Sequence, residues 1–66
     1  MTVQEAIKMG WANAEHLVHV WDYARSQVWD VATKRKWIQD WASLTRVKVP
    51  EQVLTDQGLL PRTVRR

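Results

Sequence analysis

An all-α fold follows from two features of this chain. A capping box opens it at Thr2-Val3-Gln4-Glu5, and apolar residues then recur at three- and four-residue steps as far as about residue 46. In the box, the Thr2 hydroxyl can accept from the backbone N–H of Glu5 while the Glu5 side chain reaches back, so a helix should begin at Val3. From there Val3, Ile7, Ala14, Leu17, Val18, Trp21, Ala24, Val28, Val31 and Ala32 fall on one side, with Glu5, Lys8, Glu15, His16, His19, Asp22, Ser26 and Asp30 opposite. One long amphipathic helix over about 3–32 would run about 45 Å at 1.5 Å per residue. Gly10 interrupts it, and a helix-interior glycine costs about 1 kcal/mol relative to alanine. Two readings stay open: close approach of another helix at that level, or a kink that separates an N-terminal segment.

Beyond Ala32 the phase changes. At about 100° per residue, Trp37, Ile38, Trp41, Leu44 and Thr45 centre nearly half a turn from the first stripe. A second helix over about 34–46 therefore folds back as a helical hairpin, with the bend at 33–36, or continues as a kinked helix. No glycine or proline punctuates that region. Arg46-Val47-Lys48-Val49-Pro50 reads as an extended connector, because the proline biases Val49 away from the helical region. A short helix over about 50–57 should follow, with Pro50 in its first turn, Glu51 near its N-terminus and Gly58 past its end. The expected organisation is one small helical domain, 1–57, and a basic tail, 58–66. The pair "VWDYA" and "VWDVA", eight residues apart, is about 80° out of register on a helix and does not mark a repeat.

Size and charge narrow the function classes. Sixty-six residues make at most one domain, which buries only about 60% of its unfolded surface. With no cysteine, disulfides and thiolate metal sites are excluded, and packing must hold the fold, including packing on another chain. The net charge of +3 conceals an asymmetry. Residues 1–33 carry Lys8 and Arg25 against Glu5, Glu15, Asp22 and Asp30, a balance of −2, whereas residues 34–66 carry eight basic side chains against Asp40, Glu51 and Asp56, a balance of +5. Complementary halves favour antiparallel packing or head-to-tail assembly, and the basic half would also attract an anionic partner. The N-terminal stretch lacks a basic region followed by an apolar run, and no stretch approaches 18 apolar residues. Neither a signal peptide nor a membrane span is expected, and a cytoplasmic compartment is the default.

No reaction is specified. Ser26, Ser43 and the threonines have no nucleophile signature around them, and there is no Gly-rich phosphate loop, so neither an enzyme, a small-molecule substrate nor a cofactor is expected. His16 and His19, spaced i, i+3 with Asp22 beyond, could share a metal, yet the Glu-x-x-His spacing of a bundle site is absent and a solvated helix face is the simpler account. A membrane-surface role is disfavoured because the most amphipathic segment is net acidic.

What remains is binding. Five tryptophans are more aromatic surface than two or three short helices can cover, and tryptophan is enriched at interface hot spots. The expectation is a non-enzymatic protein–protein interaction protein, either a homo-oligomer or a small subunit or regulator docking on a larger assembly. Trp11, Trp29, Trp37 and Trp41 are its candidate anchors. The alternative is a basic nucleic-acid-binding regulator in which Lys34, Arg35, Lys36, Arg62, Arg65 and Arg66 contact phosphates while exposed indoles stack on bases. Against it, no helix-turn-helix, zinc-finger or basic-zipper spacing is present.

Overall fold

The computed structural model describes residues 1–55 and residue 59. Among them the chain is all-α. Helix α1 (Val3–Lys8) is followed by a 3₁₀ turn (Ala14–His16), helix α2 (Leu17–Ser26), helix α3 (Val31–Thr45) and a second 3₁₀ turn (Glu51–Leu54). Helix α3 packs against both α1 and α2.

The capping box forms as its spacing requires. Glu5 N–H donates to Thr2 Oγ1 at 3.1 Å, and Thr2 N–H donates to Glu5 Oε1 at 2.8 Å. The single helix expected over 3–32 is, however, broken twice. At the first break Gly10 N–H donates to Ile7 O and Trp11 N–H to Ala6 O, both at 3.0 Å. That bonding is a Schellman stop, in which the residue after the cap takes a left-handed conformation. Gly10 has φ +113°, and a Cβ built on it would meet nothing within 4 Å. The glycine therefore serves backbone conformation, and no second helix among the described residues approaches it.

The second break spans residues 27–30, not 33–36. Helix α2 ends with three of its last four carbonyls satisfied. Ala24 O accepts from Gln27 N–H at 3.2 Å, Tyr23 O from Ser26 Oγ at 3.0 Å and Gln27 Nε2 at 3.2 Å, and Arg25 O from Lys34 Nζ at 3.1 Å. A helix end supplied with that many donors stops without glycine or proline. Asp30 then opens α3 as its N-cap, accepting from Thr33 N–H at 2.9 Å. The chain turns back here, and α3 packs on α2 in the hairpin arrangement. Because α2 restarts at Leu17, the phase counted from Val3 does not carry through. Val20 and Ala24 are the fully buried pair, while Val18 is turned outward and Val28 stands free in the connector.

Hydrogen bonds from Thr33 hold the Asp30 carboxyl below its ordinary value of 3.8. A carboxylate with a depressed folded pKa adds stability that is present above the unfolded value and is lost as pH falls through the folded one. Asn caps about as well as Asp but does not titrate. The difference in melting temperature between wild type and Asp30→Asn should therefore be constant near neutrality and drift as pH drops below about 3.8. Thermal melts at pH 6 and pH 3 check this, and a gap unchanged between them would contradict the capping role.

The core gathers Val20, Ala24, Ile38, Trp41, Leu54 and Leu59. On α3 the inward stripe is Lys34, Ile38, Trp41 and Thr45, so Leu44, expected inside, is 60% exposed. Both polar members of that stripe are satisfied by main-chain carbonyls. Thr45 Oγ1 donates to Trp41 O at 2.8 Å, and Lys34 Nζ donates to Arg25 O and to Leu59 O at 2.9 Å. At the C-terminal end of α3, Arg46 adopts the left-handed conformation (φ 61°) and starts the irregular connector to Pro50. The helix expected over 50–57 is a 3₁₀ turn at Glu51–Leu54, and residues 56–57, with most of the expected tail, lie outside the described residues.

Candidate functional site

The breaks that divide the chain also place its aromatic residues. Trp11 follows the stop of α1, His19 and Tyr23 lie one turn apart on α2, Trp29 sits in the α2–α3 connector, and Trp37 lies in the second turn of α3. Their rings form one continuous chain. His19 stacks on Trp11 (centroids 5.8 Å apart, planes at 19°), and Tyr23 meets Trp11 edge-on at 6.4 Å. Tyr23 also meets Trp29 at 6.0 Å and Trp37 at 5.1 Å, and Trp29 and Trp37 lie 6.2 Å apart. These spacings and tilts are those that aromatic quadrupoles prefer. Met1 closes the cluster, since its carbonyl accepts from Trp37 Nε1 at 3.2 Å and its ammonium donates to the Tyr23 hydroxyl at 2.8 Å. Trp11, Tyr23, Trp29 and Trp37 are each half-buried, so the rings brace one another and still present area to solvent.

Two grooves border this face. One, of about 540 Å³, runs between the start of α1 and the outer side of α3, lined by Met1, Thr2, Val3, Gln4, Trp37, Asp40, Ser43 and Leu44. The other, of about 400 Å³, is lined by Trp11, His19, Asp22, Tyr23, Arg25 and Ser26. In the latter the Arg25 guanidinium lies 4.0 Å above the Trp21 ring and 3.2 Å from Asp22 Oδ1, so its charge is used within the protein. His16 lies beside His19 with ring centroids 5.9 Å apart, and its buried Nδ1 has no hydrogen-bond partner among the described residues. Those residues contain no group of three or more His, Cys, Asp or Glu able to hold a metal ion, and no helix among them is long and apolar enough to cross a membrane.

The chain matches no protein-family model, no curated protein and no solved structure. The site must be judged on its own geometry.

Of the four tryptophans marked as anchors, the structure brings Trp11, Trp29 and Trp37 onto one face and puts Trp41 in the core, fully buried, with its Nε1 donating to Trp11 O at 2.6 Å. Trp41 is thus no candidate anchor on this fold, though its indole holds the backbone of Trp11. The basic triplet is divided as well. Lys34 is only 3% exposed with its ammonium held by two carbonyls, so it is withdrawn from any phosphate. Arg35 is half-buried and Lys36 exposed, and consecutive helical residues point about 100° apart. Arg62, Arg65 and Arg66 lie outside the described residues. Two members of the face were missed in the sequence, Tyr23 and Met1. Only the four-residue spacing of Tyr23 from His19 hinted that it continues a line of rings along α2.

Proposed function

We propose that this chain is a non-enzymatic protein–protein interaction protein, either a small helical homo-oligomer or a small subunit or regulator of a larger protein assembly, that docks through its aromatic face. The observation that carries the reading is the continuous, partly exposed surface of Trp11, Tyr23, Trp29 and Trp37, present on a fold whose interior is already filled by Trp41. Tyrosine and tryptophan are the residue types most enriched at binding hot spots. Rings that already hold one another lose few rotamers on docking, which reduces the entropic cost of binding. Leu44 and Met1, 60% and 40% exposed, extend the surface with aliphatic area along the groove beside α3. The cysteine-free composition fits a cytoplasmic compartment.

A nucleic-acid-binding reading draws on one feature, exposed Lys36 next to Trp37, where a phosphate contact and a stacking ring would be neighbours. It is the weaker reading, because the interior position of Lys34 reduces the triplet to two diverging charges.

Photo-crosslinking in cells separates the two. A benzophenone side chain at position 29 or 44 should give discrete, nuclease-resistant protein adducts, while the same group at exposed Glu51 should give few. Adducts spread equally over all three positions would contradict docking by this face. Adducts lost on nuclease treatment would transfer the reading to nucleic acid.

A further inference from the structure

The outer side of α3 carries a charge pattern that is complementary to itself. Opposite the buried stripe of Lys34, Ile38 and Trp41, the helix exposes Thr33, Lys36, Asp40 and Ser43, with Trp37 and Leu44 along one flank. Lys36 and Asp40 stand one turn apart, yet neither makes an ion pair or hydrogen bond among the described residues. Lysine placed N-terminal to an acid is the weaker order for pairing within a helix. A single exposed face thus displays one cation and one anion that are unpaired among the described residues, beside the groove of about 540 Å³ that Met1, Val3, Trp37 and Leu44 line with apolar surface.

A two-fold interface uses the same patch on both subunits, so it must be self-complementary. We infer that the outer side of α3 pairs antiparallel with α3 of a second copy of this chain, Lys36 of each copy facing Asp40 of the other. This rests on the docking reading above and names the occupant. The register follows from helix geometry. Lys36 and Asp40 are about 6 Å apart along the axis at 1.5 Å per residue, and an antiparallel copy centred on Ile38 brings each lysine level with the opposing aspartate. The two-fold keeps the Trp37 and Leu44 flanks of both copies on one side of the contact. The two Trp37 rings then lie near the axis, and each Leu44 lies about 9 Å from it, level with Ala32 of the other copy. One operation thus brings together both charge pairs and the two Trp37 rings.

Sedimentation velocity across micromolar to millimolar concentrations tests the pairing with four samples: wild type, Lys36→Asp, Asp40→Lys, and an equimolar mixture of the two variants. Both positions are exposed, so both variants should retain the wild-type helical circular dichroism. Wild type should move from 7.8 kDa toward twice that mass as concentration rises. Each variant alone opposes like charges at both contacts and should associate about tenfold more weakly or worse. The mixture should recover wild-type association, because two aspartates on one chain then face two lysines on the other. Wild type remaining at 7.8 kDa throughout overturns the pairing and leaves the photo-crosslinking result to decide the docking reading. Variants that associate as tightly as wild type, or a mixture no tighter than its components, overturn it equally.

Discussion

Replacing Lys34 by methionine should destabilise the protein by about 2–4 kcal/mol, since both carbonyls it serves then lose their donor, at about 1–3 kcal/mol for a buried unsatisfied group, the part-buried Arg25 O at the low end. Methionine keeps most of the aliphatic stem, so the loss reports the ammonium and not the packing. The two carbonyls belong to Arg25, at the end of α2, and to Leu59, which is fully buried in the core. One side chain of α3 thus ties the close of α2 to the C-terminal segment, and without it both contacts loosen together. A domain of this length has a total stability of about 3–10 kcal/mol, so the variant should lose a large fraction of it. Urea unfolding followed by circular dichroism measures the difference. Lys36→Met, two residues on but exposed, should change stability by no more than about 0.5 kcal/mol at concentrations where the chain is monomeric. Equal effects at 34 and 36 would contradict the division of the basic triplet.

Trp41→Ala should be the most damaging truncation, at about 3–5 kcal/mol for a large aromatic removed from a core. Trp41 is fully buried against Ile38, Val20 and Leu54. Trp41→Phe keeps most of the apolar volume and should cost about 1–2 kcal/mol, chiefly because Trp11 O loses the indole N–H that bonds it at 2.6 Å. That bond links core to surface. Trp11 is the residue on which His19 stacks and Tyr23 packs edge-on, so the phenylalanine variant should also broaden the aromatic face, visible as lost near-ultraviolet circular dichroism before helicity falls. Val28→Ala, at a fully exposed site, should be nearly silent. If Trp41→Ala is as mild as Val28→Ala, the core has been misassigned.

The local devices were legible in the sequence, and the long-range ones were not. Thr2 and Glu5 predict the first helix correctly because both halves of the capping box lie within four residues. Gly10 signalled an interruption, but helical periodicity alone could not distinguish a close approach from a stop. A left-handed φ with open space around the glycine selects the stop. The change of phase beyond Ala32 left a reversal and a kinked continuation open, and the chain reverses. Its place was misjudged because no glycine or proline marks residues 27–30, and the marker that is present, Asp30 ahead of Val31-Ala32-Thr33, is the N-cap signal for the helix that follows.

On α3 the sequence turns Trp37, Trp41 and Leu44 inward, in a stripe that also holds Ile38 and Thr45. The fold buries Lys34, Ile38 and Trp41 instead and leaves Leu44 outside, because the Lys34 ammonium finds main-chain carbonyls. Those acceptors lie 9 and 25 residues from Lys34, and the acceptor of the Trp41 indole lies 30 residues away. Such pairings exist only once the helices have packed. The candidate site was legible to the same degree: the aromatic excess was visible from composition, whereas the choice of Trp11, Trp29 and Trp37 over Trp41 depended on which stripe turned inward.

The tryptophans therefore divide, with Trp41 inside and Trp11, Trp29 and Trp37 together on one partly exposed face. Proton–nitrogen NMR of the five indole N–H groups in the presence of a soluble paramagnetic agent tests this division. The Trp41 resonance should survive with the slowest solvent exchange of the five, while those of Trp29 and Trp37 broaden. Broadening of Trp41 to the same extent as Trp29 would contradict the account.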